Sequence, residues 1–129
     1  MSKAKGSNAE RELIHHFWQN GWAACRVAGS GSMKYPSPDI LACRGGKVLA
    51  IECKATKFDQ QYFETERVNE LKQFALLFNA EPIIGIRFGK NQWYFVKPEE
   101  LDNTDKMMVA TKQKCTILGR TPSDITKSL

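Results

Sequence analysis

The chain has 129 residues and a mass of 14.6 kDa, the size of one ordinary domain. With 42% hydrophobic and 10% aromatic residues it can fill one core, which excludes wholesale disorder. No apolar run approaches the ~18 residues that a membrane span needs. The polar stretch 1–6 also lacks the apolar segment of a signal peptide. The expectation is a single domain over 1–129, flexible at 1–6 and at about 120–129.

The formal net charge is +5, and its distribution is uneven. Residues 1–57 carry nine Lys and Arg (3, 5, 11, 26, 34, 44, 47, 54, 57) against four acids (10, 12, 39, 52), whereas residues 58–129 carry ten of each. The excess positive charge therefore lies in the N-terminal half, which points to a polyanionic partner on that side. A basic pI that merely keeps a small protein soluble is the plainer alternative. Cysteines 25, 43, 53 and 115 form no CxxC pair and have no metal-type spacing. Three of them sit inside apolar runs, where reduced cysteines behave as small hydrophobes, and a reducing, intracellular location is expected.

In chain order, Ser7-Asn8-Ala9-Glu10 has the S-x-x-E pattern of a capping box and predicts a helix start. Leu13, Ile14, Phe17 and Trp18 follow at helical spacing, and Gly21 supplies a stop. Residues 22–28 read as a strand, and 29–38 as a loop rich in Gly, Ser and Pro. Residues 39–44 and 47–53 are apolar strands joined by Gly45-Gly46, a strong hairpin signal. After a polar stretch, residues 65–79 form a helix with Val68, Leu71, Phe74, Ala75 and Phe78 on one face. Residues 82–88 and 92–96 make a second hairpin, and Pro98 opens a short turn. Beyond Asp102 the periodicity fades. The reading is one α/β domain of order α-β-β-β-α-β-β, with a mixed, mainly antiparallel five-stranded sheet flanked by helices.

The first hairpin places chemistry. With its turn at 45 and 46, Arg44 pairs with Lys47, and Asp39 falls across from Glu52, their Cβ atoms about 4.5–5.5 Å apart. Lys54, two residues beyond Glu52, projects from the same face, while Ile51 and Cys53 point the other way. Two facing carboxylates repel unless something positive lies between them, and carboxylate oxygens are the ligands Mg²⁺ prefers. Such a metal can polarise a scissile phosphate and activate a water, and Lys54 can orient that water or neutralise developing charge.

Plainer readings exist for each residue. Asp39 could merely begin a strand after Pro38, and Glu52 and Lys54 could be solvated residues on an open strand face. An E-x-K triplet alone says little; combined with Pro38-Asp39 and the matching register, it points to a metal-dependent nuclease site. Glu10 is open between capping partner and metal-site member. His15 and His16, about 100° apart on a helix, cannot share a ligand. The aromatics Trp18, Trp22, Phe74, Phe78, Trp93, Tyr94 and Phe95 suit core or dimer surface better than base stacking, while Tyr62 and Phe63 are weak candidates for a DNA or dimer contact.

Four segments, residues 5–12, 26–32, 38–40 and 50–54, closely resemble the archaeal Holliday junction resolvases in order and spacing, and the resemblance extends over residues 5–96. It implies the restriction-endonuclease-like PD-(D/E)xK nuclease fold, a homodimer, and Mg²⁺-dependent symmetric cutting of four-way DNA junctions, with Mn²⁺ able to substitute. By position, Asp39 and Glu52 would bind metal together with the Cys53 backbone carbonyl, and Lys54 would be the catalytic lysine. Glu10 would match an N-terminal acidic member of the metal site, and Ser30 a catalytic serine on the loop, with Ser32 less secure. The basic residues Lys3, Lys5, Arg11, Arg26, Lys34 and Lys57, with Ser32, would contact DNA. Binding through phosphates would be salt-dependent and indifferent to sequence. Selectivity would rest on junction shape, and a two-fold dimer would match the near two-fold symmetry of a junction. No membrane contact and no small-molecule cofactor are expected, and a cytoplasmic, nucleoid-associated location is. Two rivals stay open: a restriction- or repair-type endonuclease on the same fold, and a non-catalytic DNA-binding module.

Overall fold

The computed structural model describes residues 3–27, 35–90 and 92–127, with side chains from residue 8 onward. Its elements are α1 (Lys3–Gln19), β1 (Ala23–Arg26), β2 (Ile40–Arg44), β3 (Lys47–Thr56), β4 (Gln60–Glu64), α2 (Thr65–Phe78), β5 (Glu81–Phe88), β6 (Trp93–Val96), a 3-10 turn (Pro98–Glu100), β7 (Asp102–Thr104), β8 (Met107–Thr111), α3 (Lys112–Leu118) and α4 (Pro122–Lys127). A five-stranded sheet has the order β1-β2-β3-β5-β6, and a three-stranded one the order β4-β8-β7.

In the main sheet only β3 and β5 pair in parallel, because the crossover through β4 and α2 returns the chain in the same direction. Alternation along β3 sorts its side chains onto two faces. Leu49, Ile51 and Cys53 join Leu13 and Phe17 of α1 in one core, whereas Ala50 joins Val68, Leu71 and Ala75 of α2 in the other. Glu52 shares the parity of Ala50 and therefore faces the α2 side. The mixed, mainly antiparallel five-stranded sheet with flanking helices is thus as expected.

Local chemistry explains the turns. Gly45 and Gly46 both have positive φ, 55° and 83°, which suits the two-residue hairpin link that glycine favours. Both long helices end in a Schellman motif. At α1, Trp22 N–H donates to Phe17 O and Gly21 N–H to Trp18 O. At α2, Ala80 N–H donates to Ala75 O and Asn79 N–H to Leu76 O, with Asn79 left-handed.

Several expectations are corrected. Helix α1 begins at Lys3, so Ser7 and Glu10 lie inside it and the capping box does not form. About one turn of helix upstream moves the free amides to residues before Ser7. The polar stretch after Cys53 contains the end of β3 and all of β4, and the aperiodic tail holds β7, β8, α3 and α4. Residues 120–127, expected to fray, are docked: Ile125 and Thr126 are buried, Trp22 Nε1 donates to Thr126 O, and Arg120 bridges to Phe95. No helix among the described residues is long and apolar enough to cross a membrane.

Candidate active site

The β2–β3 ladder runs from Arg44↔Lys47 to Ile40↔Ile51, in the register the glycine turn dictates. It stops one residue short of the expected Asp39–Glu52 pair. Asp39 N–H donates to Ile51 O, and Asp39 O accepts from Val27 N–H, so Asp39 is tied to β3 out of register and the strict facing pair is not a rung of the ladder. The Asp39 side chain takes over where the backbone leaves: its Oδ2 accepts a hydrogen bond of 2.8 Å from Cys53 N–H. This bond fixes the carboxylate across the open end of the hairpin. The N–H and C=O of one strand residue point to the same side, so the Cys53 carbonyl faces Asp39 as well.

Glu52 is buried, 5% exposed, which removes the solvated-face reading. Burial first, and then the negative charge of Asp39, raise its pKa from the usual 4.5 to about 7, against the opposing pull of Arg67 and Lys54. Lys54, next on the same face, is exposed and its charge reaches both Glu52 and Glu10. The Cys53 thiol is buried on the opposite face; burial, then the charges of Asp39, Glu10 and Glu52, push its pKa up, so it stays a neutral core group.

Glu10, released from capping, reaches across to β1 and accepts a 3.1 Å bond from Arg26 Nε. Burial raises its pKa most, with the Arg26 hydrogen bond opposing and the Asp39 charge adding to the rise. The structure brings Glu10 into the electrostatic field of Asp39 and Lys54 but not into a shared ligand set. Among the described residues no three His, Cys, Asp or Glu side chains converge to hold a metal. Asp39 and Glu52 are electrostatic neighbours, and Asp39 is tied to the Cys53 backbone. Burial first, and then the negative charge of Asp39, hold the Glu52 pKa up; hard carboxylate oxygens in this setting suit a divalent cation, which would offset that repulsion and keep waters in its other positions.

The structure places the remaining candidates as follows. Arg11 is exposed on α1, with Nη1 3.1 Å from Asn8 Oδ1; Arg26 serves Glu10; Lys57 lies over the Phe58 ring at 5.6 Å. Lys3 and Lys5 belong to α1, and their side chains lie outside the description. Ser30, Ser32 and Lys34 lie outside the described residues altogether. His16 faces Asn20 and Thr126, far in role from any ligand set. Tyr62 is exposed on β4, whereas Phe63 is buried in the α2-side core.

The sequence reading missed Arg67. It enters from the first turn of α2, with Nη2 3.4 Å from Glu52 Oε1 and Nη1 3.8 Å from Glu70 Oε1. The only signal available beforehand was a basic residue early in the helix that follows the E-x-K strand.

This geometry meets its relatives in comparison with known proteins. The family model described as archaeal Holliday junction resolvase (hjc) matches residues 1–120. This chain belongs to the archaeal Holliday junction resolvase family. Crossover junction endodeoxyribonuclease Hjc of Archaeoglobus fulgidus is 39% identical over 104 residues, covering 81% of this chain and 76% of the relative. Crossover junction endodeoxyribonuclease Hje of Saccharolobus solfataricus is 34% identical over 106 residues, covering 80% and 78%. The solved structure of Archaeoglobus fulgidus Hjc, described as a Holliday junction resolvase from an archaeal hyperthermophile, superposes with a TM-score of 0.87 at 32% identity, covering 94% of this chain and 99% of that one. The resolvase-like fold expected from the sequence is therefore the fold of this member, over nearly its full length.

Proposed function

We propose that this protein is a Holliday junction resolvase, a divalent-metal-dependent endonuclease that hydrolyses phosphodiester bonds and places paired, symmetric nicks in four-way DNA junctions during recombination and repair. Family membership supports the substrate. One observation carries the chemistry: a buried Glu52 held beside Asp39 at the open end of the β2–β3 hairpin. Burying an ionisable carboxyl next to another is costly and contributes nothing to the core, so the arrangement points to a cation-binding task.

Asp39, Glu52 and the Cys53 carbonyl are the residues that would hold the metal, Mg²⁺ by preference for hard oxygens, with Mn²⁺ accepted by the same donors. Bound there, the metal supplies Lewis-acid polarisation of the scissile phosphate and a more acidic water. Asp39, anchored by Cys53 N–H, keeps one acceptor oxygen aimed into the site. Lys54, exposed on the same face, orients the attacking water and balances negative charge as it grows on the phosphate. Glu10 lends its negative field from α1 and becomes available as a further member when Arg26 turns to a DNA phosphate. Ser30, on the loop after β1, is assigned a role at the scissile phosphate by family position.

The basic residues Lys3, Lys5, Arg11, Arg26, Lys34 and Lys57, with Ser32, form the DNA-contacting set. A homodimer presents two such sites to the two strands of a near-symmetric junction. It is supported by Leu76, Leu77 and Phe78 at the end of α2, which are 80%, 81% and 51% exposed, an apolar cluster of the kind that marks an interface. A DNA substrate of this kind puts the protein in the cytoplasm, with the nucleoid.

The test is cleavage of an end-labelled four-way junction and a matched linear duplex, each with Mg²⁺ and with chelator. Paired symmetric nicks confined to the junction and lost with chelator are the expected result. Equal attack on both DNAs would reassign the protein to a restriction- or repair-type nuclease. Junction binding without cutting would reassign it to a binding module.

A further inference from the structure

The guanidinium of Arg67 spans two carboxylates in unlike surroundings. Its Nη2 lies 3.4 Å from Glu52 Oε1 and its Nη1 lies 3.8 Å from Glu70 Oε1, three residues further along α2. The side chain of Glu52 is 7% exposed and that of Glu70 39% exposed, with Arg67 at 38%. Both separations exceed the roughly 2.7–2.9 Å of a tight charge-assisted hydrogen bond, so neither partner locks the arginine, and its half-exposed side chain has room to shift. Glu52 otherwise faces Asp39, which repels it, and Lys54, which attracts it.

A guanidinium and a divalent cation are like charges that compete for the same carboxylate oxygens. We propose that Arg67 is a positioning residue that occupies Glu52 in the metal-free protein and hands it over to the metal, withdrawing onto Glu70. This inference rests on the reading of Glu52 as a metal ligand. The donor carboxylate is then kept aimed into the site without being buried beside Asp39 unattended. Glu70 acts only through Arg67, as the second partner that makes withdrawal inexpensive.

The test is calorimetric titration of Mg²⁺ alone into the DNA-free protein, at about pH 9 so that Glu52 is ionised in every variant that keeps it. Arg67→Gln is expected to bind Mg²⁺ about two- to fivefold more tightly than the wild type, the range a partly exposed ion pair can shift. Arg67→Lys, which keeps the charge but loses the fork, should return affinity toward the wild-type value. Glu70→Gln should weaken binding about two- to threefold, and most of that effect should vanish in the Arg67→Gln background. Unchanged or weaker binding by Arg67→Gln overturns the handover, as does a Glu70→Gln effect that is equal in both backgrounds. Glu52→Gln separates the two layers of argument. If it abolishes binding while Arg67→Gln changes nothing, only the handover is wrong; if it binds Mg²⁺ as the wild type does, the metal-site reading itself is wrong.

Discussion

In the three-stranded sheet β4-β8-β7 the buried side chains are Phe63, Met108, Val109 and Ala110, all apolar; at the open end of β2–β3 in the five-stranded sheet the carboxyl of Glu52 is buried beside the apolar Ile40, Ile51 and Cys53. The first region has what stability asks for. The second carries a carboxyl whose burial and charged neighbour lift its pKa to about 7, an arrangement that a fold selected for stability alone would replace with an apolar residue. Perturbed groups of this kind mark functional sites more often than chance. The second sheet thus contributes apolar packing, while one hairpin end of the main sheet tolerates a costly buried carboxyl, as the proposed site requires.

Substitutions separate the two regions. Lys54→Met should lower junction cleavage by two to three orders of magnitude, the scale of removing one charge-stabilising group, with no loss of thermal stability because the side chain is exposed; single-turnover assays and calorimetry together measure both. Phe63→Ala should do the reverse. It removes a fully packed ring from the α2-side core, at a cost of about 3–5 kcal/mol, while the cleavage rate per folded molecule stays the same.

A smaller effect sharpens the comparison through pH. The folded-state pKa of Glu52 lies above its usual 4.5, at about 7, so the native state binds the proton more strongly than the unfolded state. Its contribution to stability is therefore full below about pH 4.5 and lost as pH rises through 7, about 3 kcal/mol in all. In the absence of divalent metal, Glu52→Gln should be more stable than the wild type by up to that amount at pH 8, and no more stable near pH 4.5. Saturating Mg²⁺ should raise the wild-type melting temperature at pH 8 and leave the variant unmoved. Equal pH profiles for the two proteins would place Glu52 in a solvated, unstrained setting.

The two regions also differ in how far the sequence discloses them. Gly45-Gly46 sets the hairpin register by backbone sterics, and the period-2 alternation of Leu49, Ile51 and Cys53 against Ala50, Glu52 and Lys54 follows from the strand pleat, so the arrangement of the candidate site was legible from local rules. The second sheet was not. In Gln60-Gln61-Tyr62-Phe63-Glu64 only Phe63 is buried, and α3 and α4 span seven and six residues, too short for a helical period to emerge. Asp39 departs from its ladder position because its N–H bonds Ile51 O while its side chain, not its carbonyl, takes the Cys53 N–H. Arg67 was invisible for another reason: its partner lies 15 residues away, and only the packing of α2 against β3 brings them together. For Glu10 the sequence leaves capping and metal-site roles open, and the earlier start of α1 removes the capping one.

In the proposed function, the carboxylates at the open end of β2–β3 perform metal-dependent cutting of a junction that other residues bind. The most direct measurement compares Glu52→Gln with the wild type on the same four-way junction, recording cleavage rate and junction affinity side by side in Mg²⁺. Cleavage is expected to fall by about three orders of magnitude with affinity within a few-fold of the wild type. Cleavage near the wild-type rate, with the junction bound equally well, would contradict it.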